Sequence, residues 1–159
     1  MSNLAIELEA IRRTMAAYNV AGDRLRLEAL ADTFTEDGVL ETPTARMEGR
    51  AAIFQGLGGN RGRAAPGSGE RRPTFVRHHL TTSALDLTGE ETADGTSYFI
   101  VYTDVGPDHM GCYLDQFRKE AGLWRIAKRR VLIYWMSDQT LFPHLLEAHR
   151  ARLGARGAS

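Results

Sequence analysis

Cysteine is almost absent from this 159-residue chain, and the single one, Cys112, excludes an intramolecular disulfide framework and any cysteine-based zinc site. A lone thiol suits a reducing compartment, so the expected location is the cytoplasm. Net charge is lacking too, because 20 Lys and Arg balance 20 Asp and Glu. That balance predicts neither nucleic acid nor an anionic membrane as a partner. No apolar run approaches the roughly 18 residues of a membrane span. The opening segment MSNLAIELEAIRR also lacks the basic-then-apolar layout of a signal peptide. What the chain does have is 43% hydrophobic residues, enough for the core of one domain at this length.

Leu4, Leu8, Ile11, Met15 and Tyr18 recur at alternating spacings of four and three, which predicts one apolar face of a helix ending near Gly22. Asp23 is placed to cap a second helix that carries Leu27, Leu30, Ala31 and Phe34. A short strand near Val39–Thr42 and a third helix over Arg50–Leu57 follow. Gly58–Pro73, rich in Gly and Arg, reads as a mobile surface loop, and its glycines lack the spacing of a phosphate-binding loop. Four strands are then expected, near Thr74–Leu87, Thr92–Val105, His109–Lys119 and Leu123–Trp135, joined by short turns as antiparallel hairpins. Helices first and a strand meander afterwards make an α+β fold, with the helices on one face of a bent sheet. Residues 1–136 would form this domain around an internal apolar pocket, and residues 137–159 a further helix and tail of the same domain, with Thr140 as its N-cap. The strand Tyr98–Tyr102 is apolar on both faces, so the outer face of the sheet should be covered by another copy, giving a homodimer or trimer.

Strand alternation puts Val76, His78, Leu80 and Thr82 on the apolar, inward side and His79 on the other. An imidazole in an apolar cavity is suited to general acid–base work near neutral pH, and equally to a core hydrogen bond to a carbonyl. Asp23 is either a cap or a carboxylate that orients His78. Tyr18 is either a boundary aromatic or a hydroxyl donor to a substrate oxygen. Asp115 shares a face with Tyr113 and Phe117, and a tight turn at Ala121-Gly122 would set it opposite Lys128 in an ion pair. Asp104, Asp108 and His109 read as hairpin residues. His144 and His149, five apart, lack metal-ligand spacing, and no nucleophile motif surrounds Cys112. Neither a metal nor a cofactor is therefore expected.

The segments AAYNVAGDRLRLEALADTFTEDGVLE, MEGRAAIFQGL, VRHHLTTS and GCYLDQFRKEAGLWRIAKRR, in this order, resemble the SnoaL-like group of the nuclear transport factor 2 superfamily over roughly residues 5–136. The resemblance implies a cone of helices wrapped by a curved, mainly antiparallel sheet. Its activities range over dehydratases, isomerases, cyclases, oxygenase small subunits and non-enzymatic binders. The pattern is most similar to the dehydratase branch, the scytalone and bile-acid dehydratase types. There a tyrosine, an aspartate and a strand histidine act without metal or cofactor, and Tyr18, Asp23 and His78 match them. Thr42 stands where that branch has a second tyrosine, and Val101 or Thr103 where it has a second acid or histidine. The resemblance thus implies Tyr18, Asp23 and His78 as catalytic residues, with Thr42, Leu80, Val101 and Tyr113 lining the site for a small hydrophobic carbonyl compound.

Overall fold

Long strands joined by very short turns pair with their sequence neighbours, and the second half of the chain does so. The protein is described here by a computed structural model covering residues 3–59 and 72–157, so most of the Gly58–Pro73 loop lies outside the described residues. Helix α1 (Asn3–Asp23) and the short α2 (Leu27–Ala31) are followed by β1 (Phe34–Glu41), β2 (Arg46–Glu48) and α3 (Arg50–Gly56). Then come β3 (Arg77–Leu87), β4 (Thr92–Thr103), β5 (Gly106–Glu120), β6 (Leu123–Met136) and α4 (Pro143–Gly157). The six strands form one curved sheet in the order β2-β1-β6-β5-β4-β3, antiparallel except where β1 runs parallel to β6. The β5–β6 turn is Ala121-Gly122, with φ of 50° and 77°. Two consecutive positive φ values match the right-handed twist of the flanking strands.

Helix α1 lies across the inner face of the sheet. Ile11 and Met15 are buried with Phe34, Leu40, Ile53, Phe117 and Ile126 in the main core cluster. A second cluster of Phe99, Val101, Tyr113, Ile133 and Met136 is packed by Phe142, Leu145 and Leu146 from the C-terminal segment. Tyr18 and Leu80 touch both clusters, which puts them at the seam. Polar ties hold the helix in place: Glu7 accepts from Lys119 at 2.8 Å and from the Trp124 indole, and Thr14 donates to the Trp124 carbonyl at 2.7 Å. No helix among the described residues is long and apolar enough to cross a membrane.

Several boundaries differ from the sequence expectation for identifiable reasons. Strand β1 begins at Phe34 rather than Val39, because Phe34 pairs with Ile126 before a bulge carries the chain to the Val39–Lys128 pair. Asp23 is the last residue of α1 and caps nothing; α2 starts after Arg26, without a side-chain cap. Helix α4 opens at Pro143, where a missing N–H costs no hydrogen bond, and continues to Gly157 instead of fraying at Gly154. Thr140, three residues before that helix begins, is not its N-cap and instead accepts from the Phe142 N–H at 3.1 Å.

Gly111 marks the tightest point of the sheet. A Cβ added there would lie 1.9 Å from the Leu132 carbonyl oxygen and 2.9 Å from the Phe99 ring. Because the first obstacle is backbone, no rotamer change relieves it. Gly111→Ala should cost roughly 3 kcal/mol, the upper end of ordinary overpacking. Chemical denaturation would show this as a lower midpoint at unchanged slope, and an unchanged midpoint would refute the close approach.

Candidate functional site

The inner face is organised in rows across the strands. His78 on β3 pairs with Val101 on β4, Val101 with His109 on β5, and His109 with Met136 on β6. His79 points the other way, with its ring edge-on to Tyr102 at 5.3 Å. A register shift between Leu80 and Ser83 ends the simple alternation, so Thr82 leaves the face that His78 and Leu80 share.

Asp23 and His78 meet directly. The His78 Nδ1 lies 2.7 Å from Asp23 Oδ1, and the His78 backbone N–H donates to Asp23 Oδ2 at 3.1 Å. One carboxylate thus fixes both the main chain and the ring, joining the end of α1 to the start of β3. A carboxylate oxygen accepts this bond, so in the neutral ring the tautomer that fits has its proton on Nδ1 and its lone pair on Nε2. Both side chains are largely covered, with 24% of His78 and 11% of Asp23 exposed. The ring tilts against Phe99 at 6.3 Å.

Tyr18 belongs to the same wall through a chain of ring contacts. Phe99 stacks on Tyr113 at 4.5 Å, and Tyr113 meets Tyr18 edge-on at 6.0 Å. Burial raises the pKa of the Tyr18 hydroxyl above its ordinary value, the Arg129 guanidinium opposing without cancelling the rise; the hydroxyl is protonated at neutral pH and able to donate. Tyr113 is raised well above the ordinary phenol value by burial and by its neighbour Tyr18. Beneath both rings lies Arg129, its guanidinium carbon 4.2 Å and 4.1 Å from their centroids. Arg129 is fully buried and forks onto Asp115 through Nε at 2.8 Å and Nη2 at 2.7 Å. Burial acts to lower the Arg129 pKa, but Asp115 outweighs it and the group is held more firmly charged.

The structure therefore brings Tyr18, Asp23, His78, Leu80, Val101 and Tyr113 to one face and leaves Thr42 out. Thr42 sits beyond β1 in the turn to β2, where its hydroxyl accepts from the Ala45 N–H at 3.0 Å and contacts the Thr44 hydroxyl. A turn residue that already satisfies its own backbone has no hydroxyl to offer a ligand. The ion pair of Asp115 is correct in kind but not in partner. Gln116 faces Lys128 while Phe117 faces Ile126, so Ala127 is an extra residue in β6 and Asp115 falls opposite Arg129.

Two residues read as hairpin are core. The β4–β5 turn closes at Thr103–Gly106, and Asp108 is extra between the pairs Val101–His109 and Tyr102–Pro107. This bulge allows Asp108 and His109 both to be buried, at 0% and 5% exposure. His109 Nδ1 is 2.7 Å from Asp108 Oδ1, a second carboxylate–imidazole pair on the inner side. The sequence carries the adjacent acid and histidine but no signal for the bulge that turns both inward. Asp104, by contrast, is an exposed turn residue that accepts from the Thr74 N–H at 2.7 Å. Among the described residues, no three His, Cys, Asp or Glu side chains are grouped to hold a metal ion.

Residues 5–130 match the family model of the SnoaL-like domain. Among solved structures, the chain is similar to a candidate scytalone dehydratase from Novosphingobium aromaticivorans, at 25% identity and a TM-score of 0.69, covering 84% of this chain and 88% of that one. A protein of unknown function from Mycobacterium tuberculosis is similar at 25% identity and a TM-score of 0.71, covering 93% and 91%. At 17% identity and a TM-score of 0.69, over 86% and 95%, the chain shares its fold with the β subunit of a candidate aromatic-ring-hydroxylating dioxygenase from N. aromaticivorans. Among curated proteins, no sequence matches the chain.

Removing one member of a buried ion pair strands the other. Asp115→Ala should lose about 3–5 kcal/mol of stability, and the double variant Asp115→Ala with Arg129→Met should be less destabilised than Asp115→Ala alone. Denaturant titration of the three proteins checks this; a double variant no better than the single would mean that the stranded charge is not the source of the loss.

Proposed function

This chain belongs to the SnoaL-like domain family, and from that premise we propose that it is a cofactor-independent lyase, of dehydratase type, or isomerase acting on a small hydrophobic carbonyl compound. The observation that carries the reading is the contact of 2.7 Å between His78 Nδ1 and Asp23 Oδ1, which leaves the Nε2 lone pair free. In this mechanism Nε2 removes a proton α to the carbonyl, and Asp23 stabilises the imidazolium that forms. The protonated Tyr18 hydroxyl donates to the oxygen that gains charge. In a dehydration the imidazolium then returns its proton to the departing hydroxyl; in an isomerisation, to a different carbon. Phe99, Val101 and Leu80 supply the apolar wall that keeps the carbonyl compound dry.

The rival reading is a non-catalytic binder, favoured by the Thr42 hydroxyl being committed to its own turn. Exchange of α-protons into deuterated water distinguishes the two, followed by NMR on a panel of aryl and alicyclic ketones and β-hydroxy ketones. The wild-type protein should catalyse exchange or water loss on at least one, and folded His78→Ala should be slower by about 10²–10⁴-fold. Near-normal rates in that variant would sink the assignment. Binding without turnover, at an affinity indifferent to His78→Ala, would establish the binder.

The partner in this proposal is a second copy on the outer sheet face. Tyr98, Tyr102, Met110, Leu114, Tyr134 and Trp135 all stay exposed there, a cluster of large apolar side chains of the kind that marks an interaction surface. The neighbouring rows carry Asp94 on β4 and Lys128 and Arg130 on β6, so a two-fold related copy can set acid against base. A cytoplasmic setting accords with the free thiol of Cys112 within that face. Light scattering should find a dimer, and Tyr98→Glu should convert it to a monomer at the same concentration. A monomeric wild type would refute the partner.

A further inference from the structure

Asp108 is the most heavily engaged carboxylate of the inner face. Its Oδ1 receives the Thr140 hydroxyl at 2.6 Å and His109 Nδ1 at 2.7 Å, and its Oδ2 receives the Leu141 N–H at 2.9 Å and the Thr103 hydroxyl at 3.1 Å. Burial alone would raise its pKa, but the donors from Thr140, His109 and Leu141 outweigh burial and the carboxyl is held below its usual range. It is therefore ionised and accepts only, which commits the His109 proton to Nδ1. No hydrogen bond reaches Nε2 from any described residue. Burial, with the nearby His78 and His144, lowers the His109 pKa from 6.5, the Asp108 carboxylate opposing, so the ring is neutral at pH 7.

The surroundings of that lone pair are aromatic. The Phe142 ring stands edge-on at 5.2 Å and Phe99 at 6.2 Å, and the same Phe99 ring flanks His78. His78 and His109 face the inner side two strands apart in one row, a backbone separation of about 10 Å at ordinary strand spacing. Around them, the carboxylates of Asp23, Asp108 and Asp115 are set against the Arg129 guanidinium. That balance is unfavourable to an anionic ligand.

We propose that His109 is a second anchor of this face, whose Nε2 accepts a hydrogen bond from a ligand hydroxyl, so that the site takes uncharged, hydroxyl-bearing ring compounds. The proposal rests on the reading of the inner face as a ligand site and names its substrate class. His78 acts on carbon-bound hydrogen; His109 positions the molecule by its hydroxyl. Asp108 acts through His109 and also ties the Thr140–Leu141 segment over this end of the sheet.

The test is binding, so it does not depend on turnover by His78. Calorimetry compares 2-naphthol, 2-methoxynaphthalene and 2-naphthoate on the full chain. The wild type should prefer 2-naphthol to the methyl ether by about 3–10-fold, the worth of one net hydrogen bond, and bind the carboxylate least. His109→Leu should bring the ratio to about one. Because leucine strands Asp108, His109→Asn is the second variant: its amide retains a donor near the Nδ1 position and lacks the Nε2 acceptor, so it should also lose the preference. In the wild type, the ¹⁵N resonance of His109 Nε2 should move with 2-naphthol and not with the ether. The proposal is overturned by a preference that survives in both His109 variants, by tightest binding of 2-naphthoate, or by no binding of any probe.

Discussion

Arg129 has no exposure to water, and a guanidinium in that position is tolerable only because Asp115 grips it through two nitrogens. Much of the inner face follows from that pairing. It requires the two residues to be opposite across β5 and β6, which the bulge at Ala127 achieves, and it places a cation under two tyrosine rings. Tyr18 is thereby fixed from below by Arg129 and from the side by Tyr113 and Phe34, at 6.0 Å and 5.9 Å. Since Tyr18 lies five residues before Asp23 on α1, the same contacts set the helix end at the height from which Asp23 reaches His78. The net stabilisation from such a pair is small, because desolvation offsets attraction; its effect is on geometry.

The inner face repeats one device. At Asp23–His78 and again at Asp108–His109, a carboxylate holds an imidazole by Nδ1 at 2.7 Å and leaves Nε2 unshared. The two differ in what else the carboxylate does. Asp23 spends its second oxygen on the His78 backbone and remains partly reachable, whereas Asp108 receives four donors and is fully enclosed. Under the proposed mechanism His78 benefits from the looser setting, where an imidazolium can be solvated. A fixed acceptor benefits from the tighter one, because burial keeps His109 from taking up a proton in place of the ligand's hydrogen bond.

The parts of this arrangement legible in the sequence are those that depend on period and spacing. The four-three spacing of Ile11, Met15 and Tyr18 places them on one helix face, and alternation along β3 separates His78 from His79. The α+β cone and the SnoaL-like resemblance were readable because helices precede a meander with short turns. What escaped was set by single inserted residues. An extra Ala127 replaces Lys128 by Arg129 as the partner of Asp115, and an extra Asp108 moves an acid and a histidine from a supposed turn into the core. Bulges leave no mark in composition, since each depends on which register the whole hairpin finds most favourable. Thr42 failed differently: the resemblance supplied its role, while Pro43 and the bonds to Ala45 show a local turn preference stronger than that analogy.

The same bulges explain why polar chemistry can be sustained in a face otherwise built from Phe99, Val101 and Ile133. In a regular strand, consecutive residues face opposite sides, so a carboxylate and its histidine cannot both point inward from neighbouring positions. Either the pair is divided between elements, as Asp23 on α1 and His78 on β3 are, or the strand gains a residue, as β5 does at Asp108. The first solution couples the site to helix docking and the second to the hairpin and the segment leading into α4. A site assembled both ways is anchored to both ends of the chain, through Asp23 at the close of α1 and through Thr140 and Leu141 before α4.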